Sequence, residues 1–252
     1  MRKSFNHILG IVIFTCILCG CSRLKEIKEV SQDPNSILIL QTVYNSSDNI
    51  QSYILEVYNE NKNLVQSLTY SIDKELIHHT DYIYDDNECL KDVQEFNKAN
   101  ELQMVLQYEY DEKGRILQEH QFNNENVELY SYYYVYDEKG YLTDKNKIYP
   151  EDIISEQSYF THYEYYEDGT LMSENSYEGV GDTYITNTVK YIYENGMLVR
   201  KEWYDCVGDT FTEKIRSIYT YDDQNRLLRV DDYCGKVLEG YTVYSYDVEE
   251  KW

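Results

Sequence analysis

The sequence predicts an all-β repeat protein in which about eight β-hairpin units form a curved or coiling antiparallel sheet. The main observation is a tyrosine-centred motif, clearest at 108–117, that recurs at intervals of 26, 26, 26, 29, 28, 28 and 25 residues. Self-similarity of this kind indicates one supersecondary unit laid down many times. The equivalent tyrosines are Tyr58, Tyr84, Tyr110, Tyr136, Tyr165, Tyr193, Tyr221 and Tyr246.

The spacing inside the motif predicts a tight hairpin. Asp111 suits the first position of a type I turn, and Gly114 suits the left-handed residue that follows it. This loop places Tyr110 opposite Ile116 across the two strands. Because side chains alternate along a strand, Tyr108 and Tyr110 share one face. The same spacing pairs Tyr136 with Leu142, Tyr165 with Leu171, and Tyr221 with Leu227.

The sixth copy of the motif is one residue shorter, and its turn chemistry changes accordingly. It carries Asn195-Gly196, the preferred pair for a two-residue type I′ hairpin loop. Such a loop keeps Tyr193 opposite Leu198. The register of the hairpin is therefore predicted to survive the deletion.

The whole repeat region, 36–252, should hold about sixteen strands, or roughly 75 Å of sheet at ~4.8 Å per strand. Strand twist does not favour a flat open sheet of that width, so the sheet should coil, curl into a shell or close on itself. The first unit is irregular, as expected of a terminal repeat, because Glu56 replaces a tyrosine there. The other units have Tyr82, Tyr108, Tyr134, Tyr163, Tyr191, Tyr219 and Tyr244 at this position.

The N-terminus has the pattern of a secretory signal. Arg2 and Lys3 precede a short apolar run, Ile8 to Gly20, which is too short to span a ~30 Å bilayer core comfortably. Leu18-Cys19-Gly20-Cys21 resembles the bacterial lipobox, which implies cleavage before Cys21 and attachment of lipid to that residue. An ordinary signal peptide or a short buried helix is the alternative.

These patterns divide the chain into a signal peptide at 1–20, a lipid anchor and tether at 21–35, and the repeat domain at 36–252. We therefore expect an extracytoplasmic protein of the cell envelope, with the membrane as partner through lipid on Cys21. The net charge of −23 argues against nucleic acid as a partner, because phosphates require basic contacts.

Cys206 and Cys234 occupy equivalent positions in adjacent repeats. In a meander such positions lie ~9.6 Å apart, beyond the ~4.4 to 6.8 Å that a disulfide requires, whereas a solenoid stacks them at ~4.8 Å. The sequence leaves this pairing open.

The motif Tyr-x-Tyr-Asp-x-x-Gly-x-Leu, seen at 108–117 and 134–142, resembles the tyrosine-aspartate (YD) repeat of Rhs-type and wall-associated bacterial proteins. The resemblance covers Tyr58 to Trp252. It implies a long coiling β-sheet, which in that family often forms a shell around a toxic C-terminal domain. This chain departs from that plan, because it has too few repeats to enclose a toxin.

No motif for catalysis, metal binding or nucleotide binding is present. The histidines lie at different offsets within their repeats, and no H-E-x-x-H, G-x-S-x-G or phosphate-binding glycine loop occurs. We expect no enzymatic activity, no cofactor and no metal.

The tyrosines are the candidate ligand-binding residues, because exposed aromatic faces beside polar side chains suit sugar rings and protein surfaces. The alternative, which the repeat pattern favours, is that the tyrosines serve only to hold the sheet together. The expected function is an adhesion or ligand-binding surface for a glycan, wall polymer or protein; the alternative is a structural, assembly or immunity module related to Rhs-type systems. The candidates are Tyr108, Tyr110, Tyr134, Tyr136, Tyr163, Tyr165, Tyr191 and Tyr193.

Overall fold

A computed structural model describes residues 35–150, 158–180 and 182–246. The predicted signal peptide, the lipid attachment at Cys21 and nearly all of the tether lie outside these ranges. The described residues form sixteen strands. They are β1 (Ile37–Asn45), β2 (Ile50–Tyr58), β3 (Leu64–Tyr70), β4 (Leu76–Tyr84), β5 (Leu90–Asn97), β6 (Leu102–Tyr110), β7 (Ile116–Asn123), β8 (Glu128–Tyr136), β9 (Leu142–Ile148), β10 (Ser158–Tyr165), β11 (Leu171–Val180), β12 (Asp182–Glu194), β13 (Met197–Val207), β14 (Thr210–Tyr221), β15 (Leu227–Cys234) and β16 (Val237–Tyr246).

The sixteen strands close into a barrel. Each strand pairs antiparallel with the next, and β1 pairs with β16 from Ile39↔Tyr246 to Asn45↔Gly240. The all-β prediction is confirmed, but the predicted curved or coiling sheet is wrong. The coiling shell implied by the Rhs-type resemblance is overturned with it, because closure leaves no open edge from which a coil could continue.

The predicted turn geometry is present in the third unit. The Asp111 amide donates to the Arg115 carbonyl at 2.9 Å, and Gly114 has a φ of 75°. Tyr110 lies opposite Ile116, as predicted. The other three predicted pairs are also confirmed: Tyr136 with Leu142, Tyr165 with Leu171, and Tyr221 with Leu227.

The shortened sixth turn is confirmed as well. Asn195 and Gly196 have φ values of 52° and 79°, and a type I′ loop requires positive φ at both positions. Tyr193 lies opposite Leu198, so the register is kept.

The two faces of the sheet differ in exposure. In the seven units that carry Tyr-x-Tyr, both tyrosines are half-buried, whereas the residue between them is exposed in six, as at Ile83, Glu109 and Val135. A closed barrel shields its concave face more than its convex face. Tyrosines of adjacent hairpins also lie close enough on this face to raise one another's pKa, as Tyr163 does for Tyr134. Because side chains converge on the concave face of a closed sheet, we assign the tyrosine face to the barrel interior and the opposite face to the exterior.

The most buried apolar side chains form a patch on the opposite face of β1, β2 and β3. Leu40, Leu55 and Leu68 are directly paired across these strands, and their side chains are 3–7% exposed. Val57, beside them, is 1% exposed. Other buried apolar side chains, such as Val93 on β5 and Val189 on β12, are spread around the wall.

Cys206 and Cys234 have the spacing expected of a meander, two strands apart. Cys206 lies on β13 and Cys234 on β15, with β14 between them, and both are free. Two strand spacings exceed the reach of a disulfide.

No helix in the described part of the chain is long and apolar enough to cross a membrane.

The contact between β1 and β16 depends on a residue without a side chain. A Cβ added at Gly240 would lie 2.5 Å from the carbonyl oxygen of Tyr44. We expect Gly240→Ala to lower the free energy of unfolding by about 1–3 kcal/mol, because the two backbones must separate at the closing strand pair. Thermal and urea unfolding followed by circular dichroism measure this change. Ser245→Ala, at an exposed site of the same strand, is the control, and equal stability of the two variants would contradict the prediction.

Candidate functional site

Two rings of tyrosine line the barrel interior. The rim tyrosines lie at the ends of their strands, next to the tight turns; all are the last strand residue except Tyr193, which is followed by Glu194. The inner tyrosines lie two residues earlier, farther from the turns. The rim tyrosines are Tyr58, Tyr84, Tyr110, Tyr136, Tyr165, Tyr193, Tyr221 and Tyr246. The inner tyrosines are Tyr82, Tyr108, Tyr134, Tyr163, Tyr191, Tyr219 and Tyr244.

The rim tyrosines join successive hairpins. The Tyr110 hydroxyl donates to the Leu90 carbonyl of the preceding hairpin at 2.7 Å, and the Tyr136 hydroxyl donates to the Ile116 carbonyl at 2.8 Å. Tyr84, Tyr165, Tyr221 and Tyr246 make the equivalent bond. The repeated bond gives the rim tyrosines a structural role.

Turn side chains reinforce this contact. The Arg115 guanidinium lies 4.3 Å from the ring centroid of Tyr136, and Arg226 lies 4.8 Å from that of Tyr246. Each arginine also bonds the aspartate of its own turn at 2.8 Å. The rim is therefore a belt of linked turns rather than a free aromatic surface.

The inner tyrosines sit in a poorly hydrated environment. Burial raises the pKa of Tyr108 to about 12, with smaller contributions from the negative charge of Glu119 and from neighbouring tyrosines. Burial is also the leading cause of the raised pKa of Tyr163, Tyr219 and Tyr244. Their hydroxyls therefore stay protonated and can donate hydrogen bonds at neutral pH.

Two carboxylates on the interior face accept hydrogen bonds from inner tyrosines. Tyr134 donates to Glu119 and Tyr191 donates to Glu174, both at 2.6 Å. The Glu119 side chain is only 12% exposed. Burial and these bonds together raise the pKa of both hydroxyls.

Lysines on β9 add positive charge to one sector of the interior. Lys145 Nζ lies 3.3 Å from Glu119 Oε2 and 3.9 Å from the ring centroid of Tyr132. Lys147 Nζ lies 3.6 Å from the centroid of Tyr130. Both ammonium groups thus rest on aromatic faces, which attract cations through the ring quadrupole.

The eight candidate residues fall into two groups. Tyr108, Tyr134, Tyr163 and Tyr191 are inner tyrosines. Tyr110, Tyr136, Tyr165 and Tyr193 are rim tyrosines, and the first three bond the preceding hairpin. The inner group is therefore the better candidate for contact with a ligand.

Sequence reasoning missed the charged residues between the inner tyrosines. Glu119 lies opposite Tyr108 and Tyr132, and Lys145 lies opposite Tyr134. The signal was present, because counting back from the predicted turns places these return-strand residues on the tyrosine face.

No group of three metal-ligating side chains occurs within 35–150, 158–180 and 182–246. Two of the histidines instead pair with carboxylates on the exterior: His162 Nδ1 is 2.9 Å from Asp144, and His120 Nδ1 is 2.8 Å from Glu128.

Comparison with known proteins shows likeness in fold only. No family model matches the chain, and no curated protein sequence matches it. The crystal structure of a porin-like protein from Bacteroides uniformis superposes with a TM-score of 0.52 at 12% identity, covering 84% of this chain and 96% of that one. The TcdB2-TccC3-Cdc42 structure matches with a TM-score of 0.32 at 13% identity, covering 81% of this chain but 14% of that one. Because its TM-score is low, the second match is not used to infer the fold.

The inner tyrosines make stability sensitive to alkaline pH. Below their ordinary pKa of 10.0, these groups are neutral in both the folded and the unfolded protein. Between pH 10 and about 12 the unfolded chain ionises while the folded interior retains its protons, so the free energy of unfolding should fall as pH rises. Tyrosinate absorbance of the folded and urea-unfolded protein measures the difference. Superimposable titration curves would contradict this expectation.

Proposed function

We propose that this chain is a non-enzymatic ligand-binding protein of the cell envelope, with the tyrosine-lined barrel interior as its binding surface. The observation that carries the proposal is the set of seven half-buried inner tyrosines around the interior, with hydrogen-bonded carboxylates and lysines among them. Such a surface offers flat apolar rings and fixed polar groups together, as binding sites for glycans and peptides do. A glycan, wall polymer or protein segment is the proposed class of ligand.

The exterior carries exposed apolar side chains such as Ile83 and Val135, but its charged and polar groups favour a barrel that stands in water. A transmembrane barrel directs apolar side chains outward. Here polar pairs occupy the exterior in mid-strand: Gln66 Nε2 donates to Asp81 at 2.7 Å, and His162 pairs with Asp144 at 2.9 Å. The exposed Glu109 lies on the same face. These groups would lose their hydration in lipid, and a pore function like that named for the porin-like protein is therefore not proposed for this chain.

The proposed location rests on the N-terminal pattern and agrees with the fold. Leu18-Cys19-Gly20-Cys21 follows an apolar run preceded by two basic residues, which fits lipid attachment at Cys21. The barrel then needs no transmembrane segment of its own, because acyl chains supply the membrane affinity. The likeness in fold to a porin-like protein is compatible with a place in the envelope.

Glycan and peptide arrays probed with the purified protein test the binding function. We expect a specific ligand whose affinity falls about tenfold or more in Tyr108→Leu or Tyr163→Leu, because each change removes an aromatic face from the interior. Tyr133→Leu is the matched control, since Tyr133 lies on the exterior and is 40% exposed. Each variant should unfold at a temperature close to that of the parent protein, which shows that the fold is intact.

Two outcomes would contradict the binding proposal. A ligand lost equally in the Tyr133 control would move the binding surface to the exterior. If the protein binds nothing on either array, the structural or immunity alternative is favoured, in which the tyrosines only hold the barrel together.

Expression of the full chain in a bacterium that processes lipoproteins tests lipid attachment at Cys21. We expect the parent chain to fractionate with membranes and to carry the added mass of acyl chains on its first residue. Cys21→Ala should lose both properties, because no thiol remains for the lipid. An unchanged mass and unchanged fractionation of the variant would overturn the assignment.

A further inference from the structure

Glu56 interrupts the ring of inner tyrosines. Seven units carry tyrosine at this position, and the first unit carries glutamate. On the interior face, Glu56 is paired with Ile39 on one side and Ser67 on the other. The Tyr58 hydroxyl donates to its carboxylate at 2.8 Å. The interior therefore presents one hydrogen-bonded carboxylate between aromatic neighbours.

Two inner tyrosines flank this carboxylate. Tyr82 belongs to the hairpin that follows and Tyr244 to the hairpin that precedes across the closing strand pair. Burial raises the pKa of both hydroxyls, and the negative charge of Glu56 raises each further. Glu56 thus acts electrostatically on both rings.

Elsewhere in the interior, the same combination of groups holds an ammonium ion of the chain itself. Lys145 Nζ lies 3.3 Å from Glu119 Oε2, 3.9 Å from the Tyr132 centroid and 5.0 Å from the Tyr134 centroid. Tyr134 donates a hydrogen bond to the same carboxylate. A carboxylate bonded to a tyrosine hydroxyl, with further tyrosine faces beside it, is therefore an arrangement that binds ammonium in this barrel.

The sector around Glu56 has the carboxylate and the rings but no such lysine. Within the residues that the structure describes, no lysine or arginine forms an ion pair with Glu56. Its cross-strand neighbours on the interior face, Ile39 and Ser67, are uncharged. The protein's net charge of −23 also favours the approach of cations over anions.

We propose that Glu56, Tyr58, Tyr82 and Tyr244 form a binding site for an organic ammonium group carried by the ligand. The tyrosine rings contact the cation through their faces and Glu56 neutralises its charge, which is the chemistry by which aromatic cages recognise quaternary and lysine-type ammonium groups. This inference rests on the proposed function, because it names the ligand chemistry of the same interior surface.

Titration calorimetry of the full chain with three probes tests the site. Choline represents a quaternary ammonium source, a capped lysine represents a peptide source, and 3,3-dimethylbutan-1-ol is the uncharged isostere of choline. We expect saturable binding of at least one cationic probe, and binding of the uncharged isostere that is weaker by about tenfold or more. The stronger of the two cationic probes identifies the source of the ammonium group.

Two variants locate the binding within the barrel. Glu56→Gln keeps the shape of the side chain and should weaken cation binding about tenfold or more, whereas Glu109→Gln makes the same charge change on the exterior and should not. Ser67→Lys places an ammonium group opposite Glu56, as Lys145 is placed near Glu119. It should abolish cation binding while thermal unfolding stays cooperative.

The inference is overturned if neither cation binds, if the uncharged isostere binds equally well, or if Glu56→Gln and Ser67→Lys leave the affinity unchanged. A ligand from the arrays that lacks an ammonium group, yet depends on Tyr108 or Tyr163, would overturn this inference and leave the binding function standing.

Discussion

The pairing of β1 with β16 is the constraint on which the rest of this molecule depends. It turns a meander of hairpins into a ring, so that every strand has two hydrogen-bonded neighbours and no edge is left to pair with another chain. It also separates the two faces of the sheet. One face becomes a shielded interior, and this shielding is what raises the pKa of Tyr108 and Tyr163 and makes their rings a candidate binding surface.

Tyrosine has two uses in this barrel, separated by only two residues along the chain. At the rim, a hydroxyl such as that of Tyr110 satisfies a backbone carbonyl of the neighbouring hairpin. One step inward, Tyr108 offers its ring to the interior. A single residue type serves both purposes because it joins an apolar ring to a hydrogen-bond donor. The same repeat thus builds the wall and furnishes its inner surface.

Local features of the fold were predictable from the sequence, whereas closure was not. The register of Tyr110 with Ile116, and of Tyr193 with Leu198, follows from turn chemistry within a few residues. The contact of Ile39 with Tyr246 joins residues about two hundred positions apart, and no local pattern marks it. For the candidate site, the inner tyrosines were identified, but Glu119 and Lys145 were missed because they lie on return strands of less regular sequence.

The closing strand pair also bears on how the chain folds. Every other strand pairing joins neighbours in sequence, so fifteen of the sixteen interfaces form from local contacts, and only one requires a search over nearly the whole chain. Loop-closure entropy makes that one contact the slow event. A ring, however, has no intrinsic first strand. The start of β1 and the end of β16 lie at the same rim. A circular permutant that joins them and is cut at another tight turn would form the same barrel. The slow contact would then be the one between the two strands at the new cut.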